Sequence, residues 1–489
     1  MKKFFRAIGL LSLFAGVILI GLLVNRTLAV TSKQVSFDGV APVEVDAAAV
    51  GRLSEAIRYR TIAGRDSRDS SAFMALDSFI QKSYPGIDTT LERLSMPAES
   101  RVFRWPGQNA KLPPILLLAH LDVVPAEPES LDNWTYPPFS GQVDTGFIWG
   151  RGTLDDKSSA FAMLEAIEML LSENYQPQRT VYLSLGEDEE IGGGQGAARV
   201  AEYFENRGIR FDYVLDEGYL ILEDNPVGID PPLAIIGTAE KGGVNLRLTA
   251  RTGAGGHSSM PPQETAVDLL SRSISRLREN PFPAKIDGPT ASFFEYVSPE
   301  MGFLSKAVFA NLWLTKPLVV NRLEKDPATN AMIRTTIAPT MLEAGLKPNV
   351  LPSTATATLN FRILPGETIE SVTAYVKEII ADDRIEVGVA DGAMRNPSPV
   401  SSTESFGFQI IQRTIVEIFP DAIIAPSLVV GGTDSRHFIR VSDHIYRFLP
   451  ISVKQSDLKR FHGIDERVEK QDYLDAIRFY RRLIINSCK

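Results

Sequence analysis

Cysteine is almost absent: of 489 residues only Cys488, beside the C-terminus, carries a thiol. That excludes an internal disulfide and any zinc site built on thiolates. Histidine is scarce too, with five in all (His120, His257, His437, His444 and His462), so any metal site must lean on carboxylates. Basic excess is missing: 51 lysines and arginines stand against 60 acids, a formal charge of −9. A general nucleic-acid binder needs a basic face, so that class is set aside. Bulk disorder is excluded by ordinary proportions, 44% hydrophobic and 23% charged. There is no internal repeat and no low-complexity tract. The length suits two to four domains at about 150 residues each.

What is present starts with an apolar N-terminus. Lys2, Lys3 and Arg6 precede a charge-free run from Ala7 to Val24, followed by Asn25 and Arg26. A cleaved signal peptide has an apolar core of roughly 7–15 residues, and a membrane span needs about 17–25. The run fits the span, and no A-x-A site follows closely. Residues 1–26 are therefore expected to be an uncleaved signal anchor, with secretion as the alternative if the segment is cleaved. The basic residues ahead of it favour a cytoplasmic N-terminus and a body on the non-cytoplasmic side. Residues 27–45, polar and weakly patterned, read as a stalk.

Beyond the stalk, short apolar runs alternate with helical periods. Ile115 to Leu118, Thr180 to Leu185 and Tyr213 to Leu215 read as buried strands, and Ser158 to Leu171 as a helix. Strand, helix, strand in sequence predicts an α/β fold with a mostly parallel sheet flanked by helices. From about 242 the texture changes. Val244, Leu246, Leu248 and Ala250 alternate with polar residues, as do Thr354 to Ile363. Ala266 to Leu277 and Ile369 to Ile380 have helical spacing. The expected organisation is a catalytic domain over 46–241 and 393–489, interrupted by an inserted α+β lid at 242–392. Residues 282–333 read as an insertion within that lid.

In parallel sheets, ligands gather beyond the carboxyl ends of strands, and the polar clusters sit there. His120-Leu121-Asp122 follows one strand, and residues two apart on an extended segment share a face. Asp122 is thus placed to orient the imidazole, although H-x-D alone also reads as a turn. Asp155 and Asp156 precede the helix at 158 and equally suit its N-cap; Asp156 is read as that cap, and spacing leaves Asp155 open. Glu187-Asp188-Glu189-Glu190 forms a like-charge run that a cation would offset. A solvated acidic loop is the alternative. Asp216-Glu217 follows a third strand and alone reads as a turn; His462 alone reads as structural, and so do His437 and His444. Two histidines and several carboxylates beside one sheet suit zinc, cobalt or manganese better than calcium or magnesium.

The ordered motifs HLDVVP, WGRGTLDDK, EDEEIGG, LDEG, GGHSS, Gly345/Lys347/Asn349/Val350/Pro352, GGTDSRHF and FHGIDERV resemble the dizinc metallopeptidases typified by carboxypeptidase G, aminoacylase and succinyl-diaminopimelate desuccinylase. WTYPPFSG and the insertion look most like the carboxypeptidase S branch, which includes a Gly-X carboxypeptidase and N-acyl-amino-acid hydrolases. The resemblance implies the family's zinc-peptidase catalytic domain with an inserted lid, of a kind that serves for dimerisation. It implies two zinc ions per subunit, or cobalt or manganese. By resemblance, His120 and Asp216 bind one ion, Glu190 and His462 the other, and Asp155 bridges. Glu189 is then the general base, Asp122 orients His120, and His257 stabilises the oxyanion, often in a neighbouring subunit's site. Asn349 and Arg362 are expected at the substrate carboxylate, and Gly432 and Thr433 along the site wall. Glu187 departs from the branch, where a histidine is common; it is expected to tune nearby charge.

The implied reaction is hydrolysis of the amide bond to a C-terminal amino acid with a free carboxylate. The alternative substrate is an N-fatty-acyl amino acid. A reading of another class is a membrane-tethered, non-catalytic amino-acid or peptide binding protein. A homodimer through the lid is a further expectation.

Overall fold

An apolar run with no polar face can form a strand only where both sides of its sheet are covered. The Ile115–His120 strand shows how: Ile115, Leu117 and Ala119 enter one core, Leu116 and Leu118 another. In the computed structural model, which describes residues 2–37, 39–64, 69–96, 99–225, 227–253, 255–390, 392 and 394–489, this strand lies inside an eight-stranded sheet. The order is Glu92–Leu94, Ser100–Trp105, Val181–Gly186, Ile115–His120, Val214–Leu222, Ile445–Val453, Leu233–Glu240, Ile423–Val429. From Val181–Gly186 across to Ile445–Val453 the pairings are parallel. The Glu92 edge is antiparallel.

Helices close both faces. Ala48–Arg58, Lys157–Ser172, Phe406–Ile418 and Lys470–Ser487 bury Leu53, Phe161, Phe408 and Tyr480 on one side. Ala197–Asn206 covers the other with Val200 and Phe204. The chain is thus α/β with a mostly parallel sheet, as expected. Asp156 is a correction: it stands at the N-cap position of Lys157–Ser172, but its side chain makes no cap bond. Instead Asp156 Oδ2 accepts the His120 N–H at 3.3 Å.

Strands Thr336–Ala344, Thr354–Ile363, Gly242–Arg251 and Ile385–Val389 form a separate antiparallel sheet. Along Thr354–Ile363, Ala355, Ala357, Leu359, Phe361 and Ile363 are buried between half-exposed or exposed neighbours, the alternation of a sheet covered on one face. Helices Ala266–Glu279 and Ile369–Ile380 cover that face. Each starts on a threonine capping box, at Thr265 and Thr368. Asp391 and Ala393, around the expected end of this unit, lie outside the described residues.

Two further stretches pack against the large sheet and its helices. The stretch 282–333 is helical (Gly288–Val297, Phe303–Ala310, Leu312–Leu323, Pro327–Ile333). Its Phe293, Phe294, Tyr296 and Val297 join the core of the large sheet, not that of the small one. The expected stalk is docked: Gln34 exchanges hydrogen bonds with the Ile424 main chain at 2.8 and 2.9 Å, Lys33 pairs with Glu295 at 2.6 Å, and Arg478 donates to Val43 O at 2.9 Å. Asp38, within that stretch, lies outside the described residues.

The N-terminal helix runs Lys2–Ala29, longer than expected. An 18-residue window within Phe4–Ala29 reaches a mean hydropathy of 2.7, with none of that window buried. The helix is apolar all round and long enough to cross a bilayer. The side chains of Lys2 and Lys3 lie outside the described residues.

Candidate metal centre

The centre is built from strand ends and the loops after them. His120 closes its strand, and its Nδ1 lies 2.9 Å from the main-chain carbonyl of Asp122. That contact directs Nε2 outward, 2.9 Å from Asp155 Oδ1. Asp155's other oxygen, Oδ2, lies 3.0 Å from His462 Nε2, and Glu190 Oε2 lies 3.3 Å from the same nitrogen. Residues distant in sequence thus converge, and one carboxylate faces both imidazoles.

The four-acid run resolves into two pairs. Glu187 pairs with the buried Arg101 of the neighbouring strand. Asp188 Oδ2 accepts the N–H groups of Gln195 and Gly196 at 2.8 and 3.1 Å and so closes the loop. Glu189 and Glu190 are left for the centre. The Asp122 carboxylate holds their backbone, taking the N–H of Glu189 at 3.2 Å and of Glu190 at 3.0 Å. The expected contact of Asp122 with the His120 ring is therefore chiefly its carbonyl; its carboxylate positions the 189–190 segment.

Asp216 requires a correction. Its strand does not end before it but runs Val214–Leu222. Asp216 is paired with Arg447 and Tyr219 with Phe448, so Glu217 and Gly218 are extra residues opposite one step of the neighbouring strand. Such a bulge re-aims side chains. Gly218 takes φ +144°, and a Cβ there would strike the Arg447 side chain. In this register Asp216 Oδ2 accepts the Ser435 N–H at 2.7 Å and Oδ1 the Glu217 N–H at 3.0 Å. Glu217 faces the centre, its Oε1 3.6 Å from His120 Nε2. Reading single strands missed Glu217; the glycine after it was the available signal.

Glu466 and Arg151 support the centre from beneath. Their side chains pair at 2.5 Å, both buried. Glu466 Oε1 accepts the N–H of Gly152 at 2.9 Å and of Leu154 at 2.8 Å, and Arg151 Nη2 donates to His462 O at 3.0 Å. The loops bearing Asp155 and His462 are thereby held together.

The GGTDSRHF loop lines the opposite side. Thr433 is buried, and its N–H and hydroxyl donate to Glu240 Oε1 at 2.9 and 2.8 Å. Gly432 lies under Arg395, whose guanidinium a Cβ there would strike. Arg436 Nη1 stands 3.7 Å from Glu189 Oε1. Burial, then the charge of Arg436, lower the pKa of Arg395, and Arg362 adds to that effect. A crowd of guanidiniums beside Glu189 favours an anion; Arg395 went unnoticed because no motif contains it. His257 is exposed, bonded to Ser259 Oγ at 2.8 Å on a short pair with Val350–Leu351. Asn349 is exposed nearby and accepts the Ser258 N–H at 3.1 Å. Neither is brought to the cluster. His437 Nε2 donates to Gly192 O, 3.1 Å away.

Electrostatically the centre carries too much negative charge. Burial, then Asp434, hold the Glu189 carboxyl well above the usual carboxylate range. Burial, then Asp155, push Glu217 up to about 8. Burial raises Asp216 too. Bonds to Asp155 and Glu190 push His462 up to about 10. Burial opposes ionisation of Asp155, yet His120 and His462 together hold its pKa well below normal.

These residues fit a metal. Donor atoms of His120, Asp155 and Glu190 lie within 4.8 Å of one another, and so do those of His120, Glu189 and Glu217. Glu190 Oε1 is buried with no hydrogen-bond partner among the described residues. Buried acids with an unused oxygen are what a cation offsets.

Residues 116–486 match the family described as peptidase family M20/M25/M40. The chain is 41% identical over 443 residues to an N-fatty-acyl-amino acid synthase/hydrolase PM20D1 of Xenopus tropicalis, covering 90% of this chain and 85% of that one. It is 38% identical over 492 residues to a probable carboxypeptidase S-like 2 of Dictyostelium discoideum, covering 98% and 93%. Among solved structures, an M20 family metallo-carboxypeptidase, Sso-CP2 of Sulfolobus solfataricus, superposes with a TM-score of 0.63 at 18% identity, over 90% of this chain and 99% of that one.

Proposed function

The chain belongs to peptidase family M20/M25/M40, and from that premise we propose that it is a zinc-dependent hydrolase of the amide bond to a C-terminal amino acid with a free carboxylate. The observation that carries this reading is the convergence of His120, Asp155, Glu190, Glu217 and His462 around one shared carboxylate, with Glu189 beside it. Those five residues would hold two zinc ions, cobalt or manganese being substitutes. When bound, the metal polarises the scissile carbonyl and lowers the pKa of water.

The chain's own residues do the rest. Arg395, with Arg436 beside it, would bind the substrate carboxylate by a two-bond fork. Glu189 accepts a proton from the attacking water as its oxygen bonds to the carbonyl carbon. When the carbon–nitrogen bond breaks, Glu189 passes that proton to the leaving amine. The products are a carboxylate and a free amino acid. Burial of Glu189 keeps bulk water from competing for the proton. His257 would meet the oxyanion only from a closed small sheet or a second subunit, a role that goes with the proposed homodimer.

A second reading keeps the chemistry and changes the acyl side to a fatty chain. The name of the Xenopus relative favours it, as does the apolar N-terminal helix, proposed to anchor the body on the non-cytoplasmic side. Paired assays on a blocked Gly-Leu-type dipeptide and an N-oleoyl amino acid decide between them. Glu189→Gln should abolish either activity with metal still bound; near wild-type turnover in that variant would sink the proposal, and so would a wild-type protein that binds no metal and cleaves neither substrate.

A further inference from the structure

Helices Phe303–Ala310 and Leu312–Leu323 meet at a bend of 110°. Their outer surface is apolar: Phe303, Leu304, Trp313, Leu314 and Leu318 are exposed, Leu304 at 81% and Leu318 at 64%. Single exposed apolar residues are ordinary, but a contiguous patch of large ones needs a partner. The patch is also basic. Lys316, Arg322 and Lys325 are exposed and Lys306 half-exposed, in a chain whose net charge is −9. Of the acids beside them, Glu324 is already paired with Arg334 and Asp326 caps the helix Pro327–Ile333.

The position of the bend identifies the partner. Asn311, at the corner, is buried, and its Nδ2 donates to Leu23 O at 3.3 Å and Thr27 Oγ1 at 3.4 Å on the N-terminal helix. Thr27 is buried in turn and bonds back to Leu23 O at 2.7 Å. The charge-free run of that helix ends at Val24. The corner therefore clasps the helix at the level where its apolar length stops, which for a spanning helix is the bilayer–water boundary. A tryptophan, long aliphatic side chains and snorkelling cations are what that boundary accepts.

We propose that Phe303–Leu323 is a second membrane contact. It lies in the headgroup region of an anionic bilayer and fixes the orientation of the body that the N-terminal helix tethers. This rests on the anchor reading, and the test separates the two. Trp313 is 56% exposed, whereas Trp105, Trp134 and Trp149 are buried, so quenching of tryptophan by lipid reports on Trp313. The full chain is reconstituted in phosphatidylcholine–phosphatidylglycerol vesicles carrying bromines at shallow or deep acyl positions.

The expected result is strong quenching by shallow bromines and weak quenching by deep ones. Trp313→Phe should remove the quenchable emission, and Leu304→Asp with Leu318→Asp should abolish the quenching while the chain still resists carbonate extraction. Release of the wild-type chain by carbonate overturns the anchor and this proposal together. An integral chain with unquenched Trp313 overturns this proposal alone. Crosslinking of the patch to a second copy in place of quenching would assign it to self-association and overturn it as well.

Discussion

Glu466 holds the backbone of Asp155: its Oε1 accepts the Asp155 N–H at 3.3 Å, beside the Leu154 N–H at 2.8 Å. A carboxylate late in the chain thus fixes the loop of the proposed bridging ligand, with Arg151 neutralising it from the other side. The arrangement ties the loop after Phe147–Trp149 to the loop before Arg467–Glu469, two short strands that pair with each other.

Removing that support should act on both stability and metal. Glu466→Ala leaves Arg151 buried without its partner, a change that costs about 3–5 kcal/mol. Loss of outer support lowers metal affinity about 10–100-fold. Denaturant unfolding and chelator competition check the two effects. Unchanged affinity would show that Asp155 holds its place without Glu466.

Asp122 separates the two contacts it makes. Asp122→Ala keeps the main-chain carbonyl that holds His120 but removes the acceptor for Glu189 and Glu190. Turnover should fall about 10–100-fold, the usual scale for lost outer support. His120 should still bind metal, so metal content by elemental analysis stays near wild type; a large loss of metal would refute the division.

Glu217 and Asp216 make a direct contrast. Glu217→Gln should lower metal stoichiometry. Asp216→Asn should weaken the Ser435 contact and unfolding stability by about 1–3 kcal/mol with most metal retained. The reverse pattern would restore the assignment that the motif alone suggests.

Arg395 should govern recognition of the substrate's anionic end. Arg395→Met is expected to raise KM for substrates with a free α-carboxylate by about tenfold or more, in line with roughly 1.5–3 kcal/mol for a charged hydrogen bond. Activity on the matching amide, which has no such charge, should hardly change. Equal losses on both substrates would remove Arg395 from this role.

Away from the centre, Asp472 sets a pH dependence. Burial, followed by Glu469, Glu223 and Asp475, pushes its pKa from 3.8 up to about 8. The folded state then holds a proton that the unfolded chain has released. Asp472's contribution is fully present below about pH 3.8 and disappears as pH rises through about 8. Asp472→Asn should accordingly raise the Tm near pH 8 and leave it unchanged near pH 4. A Tm at pH 8 no higher than wild type would contradict that sign.

Much of this centre was legible in advance because local sequence carries local chemistry. His120 had to end a buried strand, and Glu189 and Glu190 had to follow another, since both apolar runs stop there. The strand Thr354–Ile363 and the helix Ile369–Ile380 were readable to the residue from periods of 2 and 3.6. Arg395, in contrast, belongs to no motif, and its meeting with Gly432 and Arg436 depends on how the last part of the chain returns to the large sheet.

The sequence by itself determined the class of fold, the kind of donor available and the order of the motifs, because hydrophobic period and side-chain chemistry are properties of neighbours along the chain. Tertiary structure alone decided which oxygen faces what. A bulge against Arg447 brought Glu217 to His120, and residues 293–297 docked onto the large sheet. Both outcomes depend on partners hundreds of residues apart or on a register set by another strand, and neither period nor composition encodes such pairings.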